Sequence, residues 1–208
     1  MILIGQYDSP FVRRVGIALT LYEMPFRHEP WSSFGDADKI KTYNPLTRVP
    51  TLVLDDGDVL IESAAILDYL DHLVGPERAM APQKEPERHR ALFIAALATG
   101  LCDKLVSLFY EKRLHDVTSE LWITRCRAQI GGGLGELEKR RAAIAAPYFG
   151  GDKIGHADIA VGVMLRFLNE VHAGLVDMAE FPALAAHSAR IEALSAFKTI
   201  CQPFIPPA

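Results

Sequence analysis

Cysteine is scarce in this chain. The three cysteines, Cys102, Cys126 and Cys201, lie far apart, and no two of them form a Cys-x-x-Cys pair. This spacing argues against a disulfide framework, a structural zinc site and a dithiol redox motif. We therefore expect the three thiols to be small apolar side chains of the core.

Histidine patterns that bind metals are also missing. The chain has seven histidines, and no His-x-x-x-His pair occurs among them. Zinc sites on helices depend on such spacing, which brings two imidazoles to one face. We therefore expect no metal. The histidines are His28, His72, His89, His115, His156, His172 and His187.

Excess charge and long apolar runs are absent as well. The formal net charge is −4 over 208 residues, which gives no reason to propose nucleic acid or an anionic membrane as a partner. No stretch approaches the roughly 20 apolar residues that a membrane span requires. The first residues, MILIG, lack the basic segment and cleavage site of a signal peptide. We expect a cytoplasmic protein without a nucleic-acid or membrane partner.

A β-hairpin is the strongest local signal that is present. Residues 48–54 read RVPTLVL and residues 59–63 read VLIES, on either side of Asp56-Gly57. Apolar, β-branched runs around such a dipeptide predict a tight antiparallel hairpin, because Asp-Gly tolerates the positive φ angles of a primed turn. The sequence therefore predicts two strands joined by a two-residue turn.

The two ends of this hairpin carry the candidate binding chemistry. If the Val49-Pro50 bond is cis, the Val49 backbone turns outward and can pair with an extended peptide ligand, although trans is the commoner form. A helix begins at Ser63, and its free N–H groups suit a carboxylate. Glu62 could take an ammonium. Alternatively, Ser63 is only an N-cap and Glu62 a solvated charge.

The first 75 residues follow an alternating pattern of strands and helices. Residues 1–6 are an apolar strand, and Ser9-Pro10 begins a helix as N-cap serine and first-turn proline. A second strand at residues 26–29 completes a βαβ unit, so the two strands should be parallel. The predicted order is β-α-β-α-β-β-α, and Ser9 by itself needs no role beyond capping.

Helical patterns fill the rest of the chain. We expect a domain over residues 1–75, a proline-bearing linker over 76–86 and an all-helical domain over 87–208. One long helix covers about 87–113, and a second covers about 118–145, interrupted or bent at 131–133, where GGG weakens the helix or permits close packing. The glycine run lacks the Lys-Ser or Lys-Thr of a phosphate loop.

Asp158 should reach back to a backbone N–H beside Gly155, at the start of a further helix.

The motifs together resemble the cytosolic glutathione S-transferases, in particular serine-type bacterial and plant tau-like members. The resemblance rests on YDSPFVRRV at residues 7–15, Val49-Pro50 and Glu62-Ser63, which follow the family's order and spacing. It implies a thioredoxin-like N-terminal domain, an all-α C-terminal domain and glutathione as co-substrate. It also implies that Ser9 is the catalytic residue. The implied glutathione-binding residues are Arg48, Val49, Glu62 and Ser63.

The resemblance further implies an enzyme that stabilises the glutathione thiolate for attack on a small hydrophobic electrophile, as in detoxification. The implied second-substrate pocket involves Phe11, Phe109 and Tyr110. The implied assembly is a homodimer in which Asp103 could reach the partner's glutathione. The alternative is a non-catalytic glutathione-transferase-like binding or regulatory protein. A thiol reductase would require a cysteine where Ser9 stands.

Overall fold

The computed structural model describes residues 1–206 and divides into two compact units. The first unit contains Met1–Gln83 and the described residues from Leu194 onward, and the second contains Lys84–Ala193. The expected helical domain over 87–208 differs at its end. Arg13 donates to the carbonyl oxygens of Ile200 (2.9 Å) and Phe197 (3.0 Å), so the terminal segment packs on the first unit.

The first unit has the predicted order of elements. Its sheet has the strand order β2-β1-β3-β4, in which β1 and β2 are parallel and the other neighbours are antiparallel. This confirms the βαβ unit and the hairpin. The elements are β1 (Ile2–Ile4), α1 (Pro10–Leu21), β2 (Arg27–Glu29), α2 (Ala37–Lys41), β3 (Thr51–Val53), β4 (Val59–Ile61) and α3 (Ser63–Val74), and the terminal segment adds α8 (Ser195–Thr199).

The core of the first unit forms where α1 and α3 cover the sheet. Leu3 and Leu52 contribute from the central strands, while Leu19 and Leu70 contribute from the two helices, and all four are fully buried. The apolar residues of each helix recur at three- and four-residue steps, so one face of each helix can be buried. This packing brings the start of each helix to the candidate site.

The hairpin connection is longer than predicted. The Leu54 N–H donates to the Asp58 carbonyl at 2.8 Å, so residues 55–57 form a three-residue loop. Only Gly57 has a positive φ in this loop, at 92°. A two-residue primed turn needs a positive φ at its first loop residue. A three-residue loop needs a positive φ only at its last residue. The predicted two-residue turn is therefore wrong.

The second unit is helical throughout its regular structure. Its elements are α4 (Glu87–Leu114), α5 (Glu120–Ala142), α6 (His156–Val171), a short 3-10 helix (Met178–Glu180) and α7 (Pro182–Glu192). The predicted interruption of α5 at residues 131–133 is wrong, because the helix is continuous over Glu120–Ala142. A methyl group at Gly133 would lie 2.6 Å from Leu101 Cδ2, so this glycine permits close packing of α4 and α5.

Helix α4 is more apolar than the sequence analysis allowed. An 18-residue window within it has a mean hydropathy of 1.8, and by length and composition it could cross a membrane. In the structure, Ile94, Leu101 and Leu108 are buried where α4 packs on α5 and α6. Helix α4 therefore contributes these residues to the core of the second unit.

The cysteines divide between core and surface. Cys102 and Cys126 are buried, as expected, on α4 and α5. Cys201 is exposed, contrary to the expectation, because it follows α8 in the irregular terminal segment.

Candidate functional site

Ser9 stands at the start of α1. Its backbone is extended (φ −69°, ψ 122°), and its carbonyl accepts the first helical bond from the Arg13 N–H at 2.9 Å. Its side chain makes no capping hydrogen bond. Pro10 follows at the first helical position and has no N–H to satisfy. The half-buried hydroxyl of Ser9 is therefore not used as a cap.

Val49 lies against the segment that leads to Ser9. The Val49-Pro50 bond is cis, the condition on which the pairing of Val49 with a peptide ligand depends. Gly5 has a φ of +125°, and a Cβ there would lie 2.8 Å from the Cβ of Val49 and 2.5 Å from Val12 Cγ2. Only glycine permits this close approach. The chain between β1 and α1 is thereby packed against Val49.

Helix α3 begins at Ser63, as predicted, but the alternative interpretation of Ser63 as its N-cap is wrong. Glu62, not Ser63, occupies the N-cap position, with a φ of +64° that non-glycine residues rarely adopt. Ser63 is the first helical residue and is buried, and Arg14 Nη1 donates to its hydroxyl oxygen at 3.4 Å. A strained residue beside a polar helix start is a feature that clusters at functional sites.

Arg14 is a residue that the sequence reasoning missed as part of this site. It lies on α1, has only 5% of its surface exposed and connects α1 to the start of α3 through Ser63. Its position within an otherwise apolar helical face is the signal that could have identified it, because buried arginines need polar partners.

Arg48 and Glu62 lie together at the exposed edge of the site. Arg48 Nη1 is 3.1 Å from Glu62 Oε1, and more than half of each side chain is exposed. An exposed ion pair of this kind typically contributes about 0–1 kcal/mol to stability. Both groups can therefore exchange partners when a charged ligand arrives.

A stacked ring pair supports the segment before Ser9. The rings of Tyr7 and His28 are parallel to within 10°, with centroids 3.8 Å apart. The Nε2 atom of His28 is 2.7 Å from the carbonyl oxygen of Gly5. Burial raises the pKa of Tyr7 to about 12, so its phenol stays protonated at neutral pH. The pair therefore fixes the backbone without adding a negative charge.

The terminal segment contacts the two residues that precede Ser9. The backbone N–H of Tyr7 donates to the side chain of Gln202 at 3.2 Å, and the Asp8 carboxylate accepts from the Ile205 N–H at 3.0 Å. Sequence reasoning missed these contacts because the tail has no periodic pattern. They position the start of α1 from outside the sheet.

The predicted second-substrate residues fall in different units. Phe11 is half-buried on α1 of the first unit. Phe109 and Tyr110 are half-buried on α4 of the second unit, with ring centroids 5.6 Å apart. Phe109 lines a cavity of about 550 Å3 within that unit, and Tyr110 is not part of its lining. Asp103 is exposed on α4.

A buried acid and a buried histidine meet in the second unit, and their role is structural. The Asp158 carboxylate accepts from the backbone N–H groups of Gly155 and Phe149, each at 2.9 Å, which confirms the predicted reach back to the helix start. His187 Nε2 lies 3.6 Å from Asp158 Oδ1. Burial raises the pKa of Asp158 to about 6 and lowers that of His187 to about 4.

Within residues 1–206, no group of three or more histidine, cysteine, aspartate or glutamate side chains lies together in an arrangement that could hold a metal ion.

Both units match domains of a known protein family. Residues 3–78 match the family model for the glutathione S-transferase N-terminal domain, and residues 120–190 match that for the glutathione S-transferase C-terminal domain. The chain is 31% identical over 170 residues to the uncharacterized GST-like protein YibF of Escherichia coli, covering 81% of this chain and 82% of that protein.

Solved structures give the same result. A glutathione S-transferase from Methylobacterium radiotolerans, in complex with glutathione sulfonate, is 30% identical with a TM-score of 0.89, covering 100% of this chain and 98% of that one. A glutathione S-transferase from Methylobacillus flagellatus with glutathione bound is 26% identical with a TM-score of 0.88, covering 96% and 98%.

Proposed function

The chain belongs to the glutathione S-transferase family, and we propose that it binds glutathione along Val49 and activates its thiol at Ser9. Its relatives and its fold support an enzyme of the glutathione transferase type. Two of the similar solved structures contain glutathione or its sulfonate, which supports the same ligand here.

The binding part of the proposal uses both ends of the hairpin. The cysteinyl portion of glutathione would pair with the Val49 backbone as a short added strand. The γ-glutamyl carboxylate would meet the free N–H groups at the start of α3 beside Ser63. Its ammonium would meet Glu62, and Arg48 would reach the glycyl carboxylate.

The catalytic part of the proposal assigns the thiolate to Ser9. A thiol of pKa about 8.5 is mostly protonated at neutral pH, and lowering that pKa by two units requires about 2.7 kcal/mol. A charge-assisted hydrogen bond supplies about 1.5–3 kcal/mol, and a helix N-terminus adds about 0.3–1 kcal/mol. The Ser9 hydroxyl at the start of α1 can therefore act as a hydrogen-bond donor to the thiolate.

One observation carries this assignment: Ser9 makes no capping bond while the chain on both sides of it is tied to the binding residues. Gly5 packs against Val49, and Arg14 donates to Ser63. The free hydroxyl is thereby fixed relative to the two anchors proposed for glutathione. A scaffold without glutathione chemistry would not require this arrangement.

The substrate and assembly parts of the proposal rest on the family resemblance. The electrophile would be small and hydrophobic, its removal would be a detoxification, and the protein would be a cytoplasmic homodimer to which Asp103 contributes across subunits. Light scattering at micromolar concentration tests the dimer, and a monomer would remove the role of Asp103.

Retention on immobilised glutathione, followed by turnover of a panel of electrophiles, tests the function. We expect elution by free glutathione and measurable conjugation of at least one electrophile. A protein that binds the resin without conjugating any electrophile would be the non-catalytic alternative, and one that does neither would contradict the proposal.

A further inference from the structure

Asn44 is a buried polar residue to which the proposed function gives no role. It lies on the loop between α2 and β3 that leads to Arg48 and Val49, and only 1% of its surface is exposed. Asparagine is mostly exposed in folded proteins, and a buried amide needs hydrogen-bond partners. The partners of this side chain therefore indicate what it does.

Three hydrogen bonds use both ends of the Asn44 amide. Its Nδ2 atom donates to the carbonyl oxygen of Arg48 at 2.9 Å and to Thr51 Oγ1 at 3.2 Å. Its Oδ1 atom accepts from the Leu46 N–H at 3.0 Å. The hydroxyl of Thr51, a fully buried residue, donates to the same Arg48 carbonyl at 3.1 Å. Two side-chain donors therefore converge on one carbonyl oxygen.

The backbone between Asn44 and Arg48 is strained. Thr47 has a φ of +53°, which is an outlier for a β-branched residue. Its N–H donates to the Asn44 carbonyl oxygen at 2.8 Å. Strained residues persist where the surrounding contacts over-determine the backbone, and they cluster at ligand-binding sites. The loop therefore keeps a strained residue while it holds the Arg48 carbonyl inward.

The Arg48 carbonyl belongs to the same peptide group as the Val49 N–H. This peptide is trans, and the C=O and N–H of a planar trans peptide point in opposite directions. Holding the carbonyl against Asn44 and Thr51 therefore aims the Val49 N–H away from them. Within residues 1–206, no acceptor of the chain pairs with this N–H. It is thus available to a ligand.

We propose that Asn44 is a positioning residue for glutathione, because it holds the Arg48 carbonyl and so keeps the Val49 N–H turned toward the cysteinyl carbonyl of the ligand. The inference rests on the proposed binding of glutathione along Val49. Without the Asn44 donor the carbonyl would lose a buried partner, and the peptide would rotate toward water. The Val49 N–H would then face the ligand only part of the time, and the affinity would fall with that fraction.

Calorimetry with three ligands on the full chain tests the proposal. Glutathione has the cysteinyl carbonyl and the glycine, γ-glutamylcysteine keeps only the carbonyl, and γ-glutamylcysteamine has neither. Asn44→Ala should raise the dissociation constants of the first two by about tenfold. It should change that of γ-glutamylcysteamine by less than about twofold, because this ligand has no acceptor for the Val49 N–H. The matched control is Asn169→Ala, at an exposed position on α6, which should leave all three unchanged.

A second pair of variants tests the other donor to the Arg48 carbonyl and decides the matter if Asn44→Ala does not fold. Thr51→Val keeps the shape but removes the hydroxyl, and it should raise the dissociation constants of glutathione and γ-glutamylcysteine by about threefold or more. Thr51→Ser keeps the hydroxyl and should stay within about twofold of the wild type. Equal affinities in these two variants would contradict the proposal.

Three further results would overturn it. Glutathione binding that is unchanged in Asn44→Ala would show that Val49 needs no such support. An equal loss for all three ligands would indicate a general structural effect, and a loss confined to glutathione would place the effect at the glycyl end. A wild type that binds none of the ligands would contradict the proposed function itself, whereas variants that bind as the wild type does contradict only this inference.

Discussion

Arg48 Nη1 lies 3.1 Å from Glu62 Oε1, at the exposed edge of the candidate glutathione site. The two residues were proposed separately, one for a carboxylate and the other for an ammonium. In the ligand-free protein each is the partner of the other. A ligand with both charges can replace this pair at little cost, because exposed ion pairs contribute only about 0–1 kcal/mol.

Glu62→Ala should weaken glutathione binding without a comparable loss of stability. Removing one partner of a charge pair that the bound ligand buries commonly costs about 2–5 kcal/mol, so the dissociation constant should rise more than about tenfold in calorimetry. Asp68→Ala is a suitable control, since Asp68 is an exposed acid on the same helix. If the two variants bind glutathione equally well, the ammonium lies elsewhere.

The Asp158–His187 pair predicts opposite pH dependences in two single variants. Asp158, whose pKa is raised from 3.8 to about 6, favours folding at low pH, and this contribution is lost as the pH rises from about 4 to 6. His187, whose pKa is lowered from 6.5 to about 4, favours folding at high pH, and this contribution is lost as the pH falls from about 6.5 to 4. Each contribution is up to about 3 kcal/mol, at about 1.4 kcal/mol per pKa unit.

In the wild type the two contributions largely cancel between pH 4 and 6.5. His187→Gln should therefore lose stability as the pH rises through this window, and Asp158→Asn should lose stability as it falls. Urea unfolding at several pH values measures both slopes. Slopes of the same sign in the two variants would show that burial does not control these groups as described.

The glycines of α5 predict a difference between neighbouring positions. Gly132→Ala should stabilise the protein by about 0.5–1 kcal/mol, because a methyl group there meets nothing within 4 Å and alanine favours the helix. Gly133→Ala should destabilise it by about 1 kcal/mol or more, since the methyl group would lie 2.6 Å from Leu101. Denaturant midpoints compare the two, and equal stabilisation would mean that Leu101 moves aside freely.

The sequence predicted most of the fold because its apolar periodicity and turn residues agree with the final elements. The βαβ unit, the hairpin and the reach of Asp158 to the Gly155 N–H follow from local patterns. The hairpin loop and the continuous α5 were mispredicted. The hydrogen bond between Leu54 and Asp58 sets the loop length, which the dipeptide Asp56-Gly57 alone does not specify. The packing of Gly133 on Leu101 joins two helices, and no local pattern predicts it.

The sequence predicted the residues proposed to bind glutathione but not the contacts that hold them in place. Val49, Glu62 and Ser63 could be named from the motif, whereas the contacts of Arg14 and Gln202 join residues 49 and 195 positions apart. No local pattern predicts contacts over such separations. The absence of a capping bond at Ser9 also required the structure, since serine before proline ordinarily predicts a cap.

The variant Ser9→Ala tests whether the Ser9 hydroxyl stabilises the glutathione thiolate. Because the side chain makes no capping bond, the variant should lose less than the roughly 1 kcal/mol of stability that a lost cap typically costs. Loss of the thiolate donor should raise the pKa of bound glutathione by about one to two units, at about 1.4 kcal/mol per unit. Ser9→Thr, which keeps a hydroxyl, is the matched control.

The decisive measurement is thiolate absorbance as a function of pH in the glutathione-saturated complex, at a temperature where all variants are folded. We expect a titration curve shifted to higher pH in Ser9→Ala and a smaller shift in Ser9→Thr. An unmoved curve in saturated Ser9→Ala would contradict it and would assign the thiolate to the backbone N–H groups at the start of α1.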